Sequence, residues 1–310
     1  MPKLNEFTFP SCDGRTMIYV REFVPDGEIK GTVQIAHGVA EYNARYDEFM
    51  TFLAENGYVA AANDHLGHGR SICTEEDKGF FHDHDGWDKV VEDMRKLREI
   101  QKEKYPSVKT VLFGHSMGSF LSRTYIIKHP DDFDACVICG TGQQSPVIVN
   151  AGIALAKFKC KTKGTGYRSE SMQKIAFGSY NNGFQPQRTD FDWLSANEEN
   201  VDKYIADPLC GGISTVGLFR DMLGGISFIS KKANINNMRK DLPVYFIAGA
   251  LDPVGENGKG VARAYDSFVS VGMTDVSLKL YKDMRHEILN EDIKDRVFED
   301  VLFWINEKIG

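Results

Sequence analysis

The densest chemistry in this chain lies in Gly114-His115-Ser116-Met117-Gly118. The serine has a glycine two residues away on either side. The apolar run Thr110-Val111-Leu112-Phe113 precedes it and the helix-like stretch 119–128 follows it. Strand, G-x-S-x-G and helix in that order make a turn so sharp that the serine takes a strained backbone conformation. The glycines leave room for the helix to pass close to the strand. The hydroxyl then stands at the strand's end, beside the amide-rich start of a helix. Such a group attacks acyl carbonyls.

A serine hydroxyl is a poor nucleophile at neutral pH. It needs a base to take its proton and an acid to orient that base and stabilise its charge. Around this turn the partners follow in the chain order Ser, Asp or Glu, His. Asp252 fits, in Gly249-Ala250-Leu251-Asp252-Pro253 after the apolar run 244–248. His286 fits, in Met284-Arg285-His286-Glu287 after the strand-like run ending at Tyr281. Asp-Pro also favours turns by itself, and it is the serine turn upstream that favours the catalytic role for Asp252. The other histidines, His37, His65, His68, His82, His84, His115 and His129, lack the order or the position. A tetrahedral oxyanion needs backbone donors. Met117 N–H, next to the serine, is one candidate. Val39 N–H is the other, in Ala36-His37-Gly38-Val39-Ala40-Glu41, where Gly38 permits a tight loop.

Alternating strand-like and helix-like segments must carry these residues. Residues 6–9 and 16–23 form a hairpin pattern with Cys12-Asp13-Gly14 as its turn. Strands are expected at 31–36, 58–62, 110–113 and 135–139, and helices at 46–56 and 87–105. A polar Gly/His loop is expected over 63–86. The pattern breaks between about 142 and 240, in helix-like pieces with glycine breaks. It resumes with strands at 243–249 and 276–281 and helices at 260–271 and 293–308. The expected architecture is a mostly parallel central sheet flanked by helices. Its core spans 1–142 and 238–310, interrupted by a mainly helical cap, 143–237.

With 310 residues and ordinary globular composition, the chain can bury a large core. A net charge of −7 argues against a nucleic-acid partner. No run reaches the roughly 20 apolar residues of a membrane span. The start, Met-Pro-Lys-Leu-Asn-Glu, has no apolar stretch, so no signal peptide and a cytoplasmic location are expected. The six cysteines are scattered and expected to be free. Cys136 and Cys139 have redox or zinc spacing, but strand alternation sends them to opposite faces. His65, His68, His82 and His84 are expected in a solvated polar loop, with some imidazoles bonded to backbone and no metal. The apolar stretch 146–158 either packs into the core or covers an apolar channel. With Lys157, Lys159, Lys161 and Lys163 beside it, it also has the make-up of a weak membrane-surface contact.

The chain resembles the α/β-hydrolases of the monoacylglycerol lipase and lysophospholipase type, grouped with serine aminopeptidase-like hydrolases. The resemblance rests on His37-Gly38-x-x-Glu41, Asp64-x-x-Gly67-His68-Gly69-x-Ser71, Gly114-His115-Ser116-Met117-Gly118-Ser119, Asp252-Pro253-Val254 and Arg285-His286-Glu287. It implies the α/β-hydrolase fold, no cofactor, and a serine esterase acting on lipid-like monoesters. It implies that Glu41 and Arg45 contact the glycerol head of the substrate. Glu41 and Arg45 are equally placed to form a structural ion pair. The second histidine that these lipases often carry, three residues after the catalytic one, is here Leu289, followed by Asn290. The resemblance further implies that the Asp64 to Ser71 motif orders the oxyanion loop. Short-chain or aryl esterase, thioesterase and aminopeptidase remain open. An aminopeptidase needs an acidic cluster for a free amine, for which Glu198, Glu199 and Asp202 are the candidates. Outside enzymes, a non-catalytic hydrolase-like binding protein is the alternative, although such proteins usually lose a triad member. Oligomeric state is not readable from the sequence.

Overall fold

The computed structural model describes all 310 residues. The elements in chain order are β1 (Lys3–Pro10), β2 (Met17–Val24), β3 (Gly31–Ala36), α1 (Asp47–Glu55), β4 (Tyr58–Asn63), α2 (Gly86–Lys104), β5 (Lys109–His115), α3 (Met117–Lys128) and β6 (Ala135–Cys139). Then come α4 (Pro146–Lys163), α5 (Glu170–Phe177), α6 (Glu198–Ala206), α7 (Val216–Ile229), α8 (Lys232–Ile235), β7 (Val244–Gly249), α9 (Lys259–Val269), β8 (Val276–Tyr281) and α10 (Lys294–Ile309).

The eight strands form one sheet in the order β1-β2-β4-β3-β5-β6-β7-β8. The pairs β1/β2 and β2/β4 are antiparallel and all others parallel. Strands β3, β4, β6 and β7 are buried along their whole length, as expected where helices cover both faces of a parallel sheet. Alternation divides their side chains between two cores. Cys136 and Ile138 join Val90, Met94, Leu121, Tyr125 and Phe268 on the face covered by α2, α3 and α9. Val137 and Cys139 join Phe49, Leu53, Phe298, Val301 and Ile305 under α1 and α10. Each fully buried large apolar side chain contributes about 1.5–3 kcal/mol.

Helix α3 departs from the amphipathic pattern because it is buried from Met117 to Ile127, on every side. It runs through the middle of the layer, and its first residue follows Ser116. Between β6 and β7 the chain leaves the sheet and builds α4 to α8 over the C-terminal ends of the strands, where the serine turn lies. No helix is long and apolar enough to cross a membrane.

Candidate active site

Strand β5 continues past Phe113, because Gly114 and His115 pair with Ile138 and Cys139. Ser116 therefore begins at the very edge of the sheet, with φ 54° and ψ −120°. A side chain in that region costs about 1–3 kcal/mol and persists only where its surroundings impose it. Here Ser116 N donates to Cys139 O at 3.0 Å, and Ser119 N and Oγ donate back to Ser116 O at 2.9 and 2.6 Å. A Cβ on Gly118 would strike the carbonyls of Ala36 and His37, and one on Gly114 would strike Ser122 Oγ and Gly118 O. Both positions demand glycine for close approach of helix and strand.

His286 Nδ1 lies 3.0 Å from Asp252 Oδ2, and both residues are buried. Asp252 Oδ1 accepts from Val254 N at 2.9 Å, which fixes the carboxylate plane. An acceptor at Nδ1 puts the imidazole proton there and leaves Nε2 free to take another. Ser116 and His286 line one cavity of about 1100 Å³, together with Val39 and Met117. Nε2 makes no hydrogen bond within the chain, so the contact to Ser116 Oγ is open at rest; such contacts tighten when substrate binds. The backbone N–H groups of Val39 and Met117 have no acceptor within the chain.

The turn carrying Val39 is tightly held. Gly38 N donates to Glu41 Oε1 at 2.6 Å, and a Cβ on Gly38 would stand 2.6 Å from that oxygen and 3.1 Å from Ser116 Cβ. His37 Nε2 accepts from His65 N at 2.9 Å, so Nδ1 carries the proton and donates to Gly38 O at 2.7 Å. Asp64 accepts from Asn43 N and Arg70 N at 2.8 and 2.7 Å, and Ser71 Oγ accepts from Tyr19 N at 2.9 Å. The 64–71 segment thus reaches the turn through the His65–His37 bond.

Here the expectation of a solvated Gly/His loop is corrected. His37, His65 and His68 are buried, with ring centroids of His65 and His68 at 4.2 and 5.4 Å from that of His37. Only His84 is exposed and His82 half-buried. One nitrogen of each of the His65 and His68 rings meets a local partner, His65 Nδ1 beside Asn63 Nδ2 and His68 Nδ1 beside Leu66 O, while Nε2 of both is buried without one. No three His, Cys, Asp or Glu side chains are arranged to hold a metal ion.

Burial pushes His37 down to about 3, His68 to about 4 and His65 well below its ordinary value. The folded chain keeps these rings neutral, whereas the unfolded chain binds their protons below about pH 6.5. Stability from this source is complete above about pH 6.5 and is lost as pH falls towards 4. Asp64, raised by burial to about 6, works in the opposite sense over the same window. We therefore expect His68→Gln to flatten the fall of the urea midpoint between pH 7 and 4.5. Parallel profiles for the variant and the parent would refute it.

Beneath the turn lies a buried charge network. Arg45 Nη1 donates to Glu41 Oε2 and Glu287 Oε1, and Nη2 to Glu287 Oε2, all at 2.7 Å. Glu287 also accepts from Asn200 Nδ2 at 2.8 Å. Glu41 Oε1 accepts from Tyr46 Oη at 2.8 Å. Both nitrogens of His115 face acceptors: Tyr46 Oη and Glu41 Oε1 at Nδ1, 2.9 and 3.2 Å away, and His286 O at Nε2, 3.3 Å away. Burial opposes a charge on His115, but its bond to Glu41 and the nearby carboxylates hold its pKa above the ordinary value. Burial would likewise raise Glu41 and Glu287, yet His115 and Arg45 hold Glu41, and Arg45 holds Glu287, below the usual carboxylate range. With His115 protonated, two cations balance two anions.

Of the two roles open to Arg45, this arrangement favours the structural ion pair. Its side chain is 11% exposed, lies 4.9 Å under the Tyr204 ring and is not part of the cavity wall. Glu41 does reach the wall but spends its oxygens on Gly38, Tyr46, His115 and Arg45. The reason is Glu287, whose carboxylate offers Arg45 a bidentate partner that no local pattern announces.

Two corners of the insertion also meet the site. Tyr204 Oη and Gly211 N both donate to Ala40 O at 3.0 Å, and Tyr42 Oη donates to Asp207 Oδ2 at 2.8 Å. Trp193 lies against His286 with ring centroids 5.1 Å apart. Sequence reasoning singled out both corners without a role, and it missed His115, Glu287 and Asn200. The only available signal was that His115 and Glu287 adjoin Ser116 and His286 in the chain.

The rest of the cavity wall is mostly apolar and comes largely from the insertion, through Ile148, Leu155, Phe177, Met222 and Leu223. Helix α4 thus covers the cavity and does not fill the core; of its residues only Val149 and Ala156 are buried.

Residues 27–293 match the family described as serine aminopeptidase, S33. The monoacylglycerol lipase of Mycolicibacterium smegmatis is 29% identical over 97% of this chain and 96% of its own length. The monoglyceride lipase of Mus musculus is 27% identical over 97% of this chain and 90% of its own. A thermostable carboxyl esterase from Bacillus coagulans, solved in complex with glycerol, superposes with a TM-score of 0.93 at 28% identity, covering 99% of each chain.

Proposed function

This chain belongs to the serine aminopeptidase S33 family of α/β-hydrolases, and from that premise we propose that it cleaves monoacylglycerol-like esters through an acyl-enzyme on Ser116. It is a carboxylester hydrolase; the substrate and the covalent route are our inference. The observation that carries it is one convergence: a strained serine, an Asp-oriented imidazole and two unengaged amides on the wall of a mostly apolar cavity of about 1100 Å³. That volume lies just above the range of ordinary small-molecule sites, roughly 300–1,000 Å³, and admits a lipid-sized monoester.

In the proposed cycle Ser116 Oγ gives its proton to His286 Nε2 and bonds to the acyl carbon. Val39 and Met117 N–H stabilise the resulting oxyanion. His286 returns the proton to the leaving alcohol as its C–O bond breaks. Water then loses a proton to His286 and attacks the acyl carbon, releasing the acid and restoring Ser116. Asp252 holds the imidazole throughout and stabilises its charged form. In this cycle Glu41 and Arg45 support the oxyanion turn.

Ester cleavage is favoured over aminopeptidase action because Glu198, Glu199 and Asp202 are 78, 76 and 59% exposed, paired with Arg188 or Lys203, and absent from the cavity wall. We further propose that the insertion is a cap that meets anionic lipid surfaces. Val147 and Phe158 on α4 are 77 and 64% exposed, and Lys157, Lys161 and Lys163 stand beside them in the open. Both proposals are tested by initial rates on monoacylglycerols and lysophospholipids of graded chain length and on an amino-acid anilide, free and in anionic vesicles. The expected order places monoacylglycerol first and the anilide last. Reversing Lys157, Lys159, Lys161 and Lys163 to Glu is expected to slow only vesicle-borne substrate. An anilide cleaved faster than any ester would overturn the ester reading, and equal vesicle rates would remove the surface contact.

A further inference from the structure

The insertion grips the loop of the catalytic imidazole from both sides. Ahead of His286, Arg285 Nη1 donates to the carbonyls of Asp192 and Ser195. Behind it, Glu287 N donates to Leu194 O at 2.7 Å. Glu291 closes the arrangement: its carboxylate accepts from Ser195 Oγ at 2.9 Å, Ala196 N at 3.0 Å and Arg285 N at 2.9 Å. The corner is itself rigid. Asp192 accepts from Arg188 N at 2.7 Å and Thr189 Oγ1 at 2.6 Å, and Trp193 N donates to Asn181 Oδ1 at 2.8 Å.

What the corner delivers is the Trp193 ring. It is 91% buried and lies 5.1 Å from the His286 ring at an interplanar angle of 41°. Tyr180 packs edge-on against it at 5.0 Å and Phe177 is stacked at 6.4 Å, so the indole has little freedom. The His286 ring meets Asp252 at Nδ1 and the His115 ring at 4.7 Å, and a Cβ on Gly140 would come within 3.1 Å of its Cε1.

We propose that Trp193 is a positioning residue for His286, and that the Asp192–Ser195 corner makes the insertion part of the catalytic apparatus. The inference rests on reading His286 as the general base. The indole restricts the imidazole to the orientation in which Nδ1 meets Asp252 and Nε2 faces the cavity. Its π face lies within about 6 Å, where it favours the imidazolium formed when Ser116 gives up its proton. Both effects are greater in the transition state than in the resting enzyme, so they act on kcat.

Trp193 also lines the cavity, and a mere substrate contact would act on KM. The test compares kcat and KM for Trp193→Leu, Trp193→Phe, Glu291→Gln and His286→Ala on one ester, with the low-field imidazole Nδ1–H proton signal followed by NMR. For Trp193→Leu we expect kcat to fall about tenfold with KM nearly unchanged and the low-field signal broadened. Trp193→Phe, which keeps an aromatic face, should recover part of the loss, and Glu291→Gln should lower kcat in the same sense. Should the Leu variant not fold, the Phe and Gln variants carry the same comparison. An unchanged kcat with raised KM in these variants would overturn the proposal. His286→Ala separates the two claims: wild-type turnover there would refute the base assignment, whereas lost turnover with an unaffected Trp193→Leu would refute the positioning role alone.

Discussion

Ser116→Ala is expected to lower kcat by about 10⁴-fold or more while leaving the folded protein intact. Alanine in place of the serine inherits the same φ of 54° and removes an oxygen that has no hydrogen bond within the chain. Neither backbone strain nor an orphaned polar group is added, so stability should stay within about 0.5 kcal/mol. Chemistry, however, loses its attacking atom, and the remaining parts cannot replace it because they act as a unit. Residual turnover would come from the oxyanion donors and binding alone. A fluorophosphonate probe should label the parent protein and not the variant. A variant that hydrolyses esters at parental rates would end the acyl-enzyme reading. Absence of labelling in the folded parent would instead favour a binding protein.

Arg45→Met carries the second large effect, and it falls on stability. Methionine matches the stem of arginine but removes the only guanidinium between Glu41 and Glu287, which are 5 and 2% exposed. Breaking a buried ion pair on one side costs about 3–5 kcal/mol, since it leaves charge without a partner. For a chain of this size that corresponds to a fall in Tm of roughly 5–15 °C. Glu41 would also lose the cation that steadies its grip on Gly38 N, so kcat should fall with stability. If Arg45 instead served the substrate's glycerol head, KM would rise while Tm held. Calorimetry and kinetics on the one variant therefore decide between the two roles. Adding Glu287→Gln should recover part of the lost stability.

The strands 31–36, 135–139 and 276–281 were legible to the residue, because short runs with strand-like patterning, apolar in 135–139 and alternating in 276–281, are closed by turn residues. The serine turn, Asp252 and His286 were legible because each sits where a strand has just ended. Helix α3 was legible as the helix that follows the serine turn, but its burial on every side left no period from which to tell its packing. His65 and His68 misled because a polar residue type says nothing about where its partner lies. The bonds that matter most to the site span large sequence distances: Arg45 to Glu287 across 242 residues, Tyr204 to Ala40 across 164. No window along one chain reports such pairs. The insertion was legible as a mainly helical break in the pattern, but the bounds of its short helices α5, α6 and α8 were not.

The hold of the insertion on Ala40 O, Glu287 N and Glu291 bears on how this enzyme can be re-engineered. Residues 143–237 are not an interchangeable cassette. A chimera that imports the whole stretch from a relative also imports new supports for the Val39 turn and the His286 loop, so its rate is expected to change along with its selectivity. The exchangeable part is narrower. Helix α4 faces the cavity without bonding the Val39 turn or the His286 loop, whereas Phe177 at the end of α5 is stacked on Trp193, so splices confined to 146–163 are where altered chain-length preference can be sought without disturbing turnover.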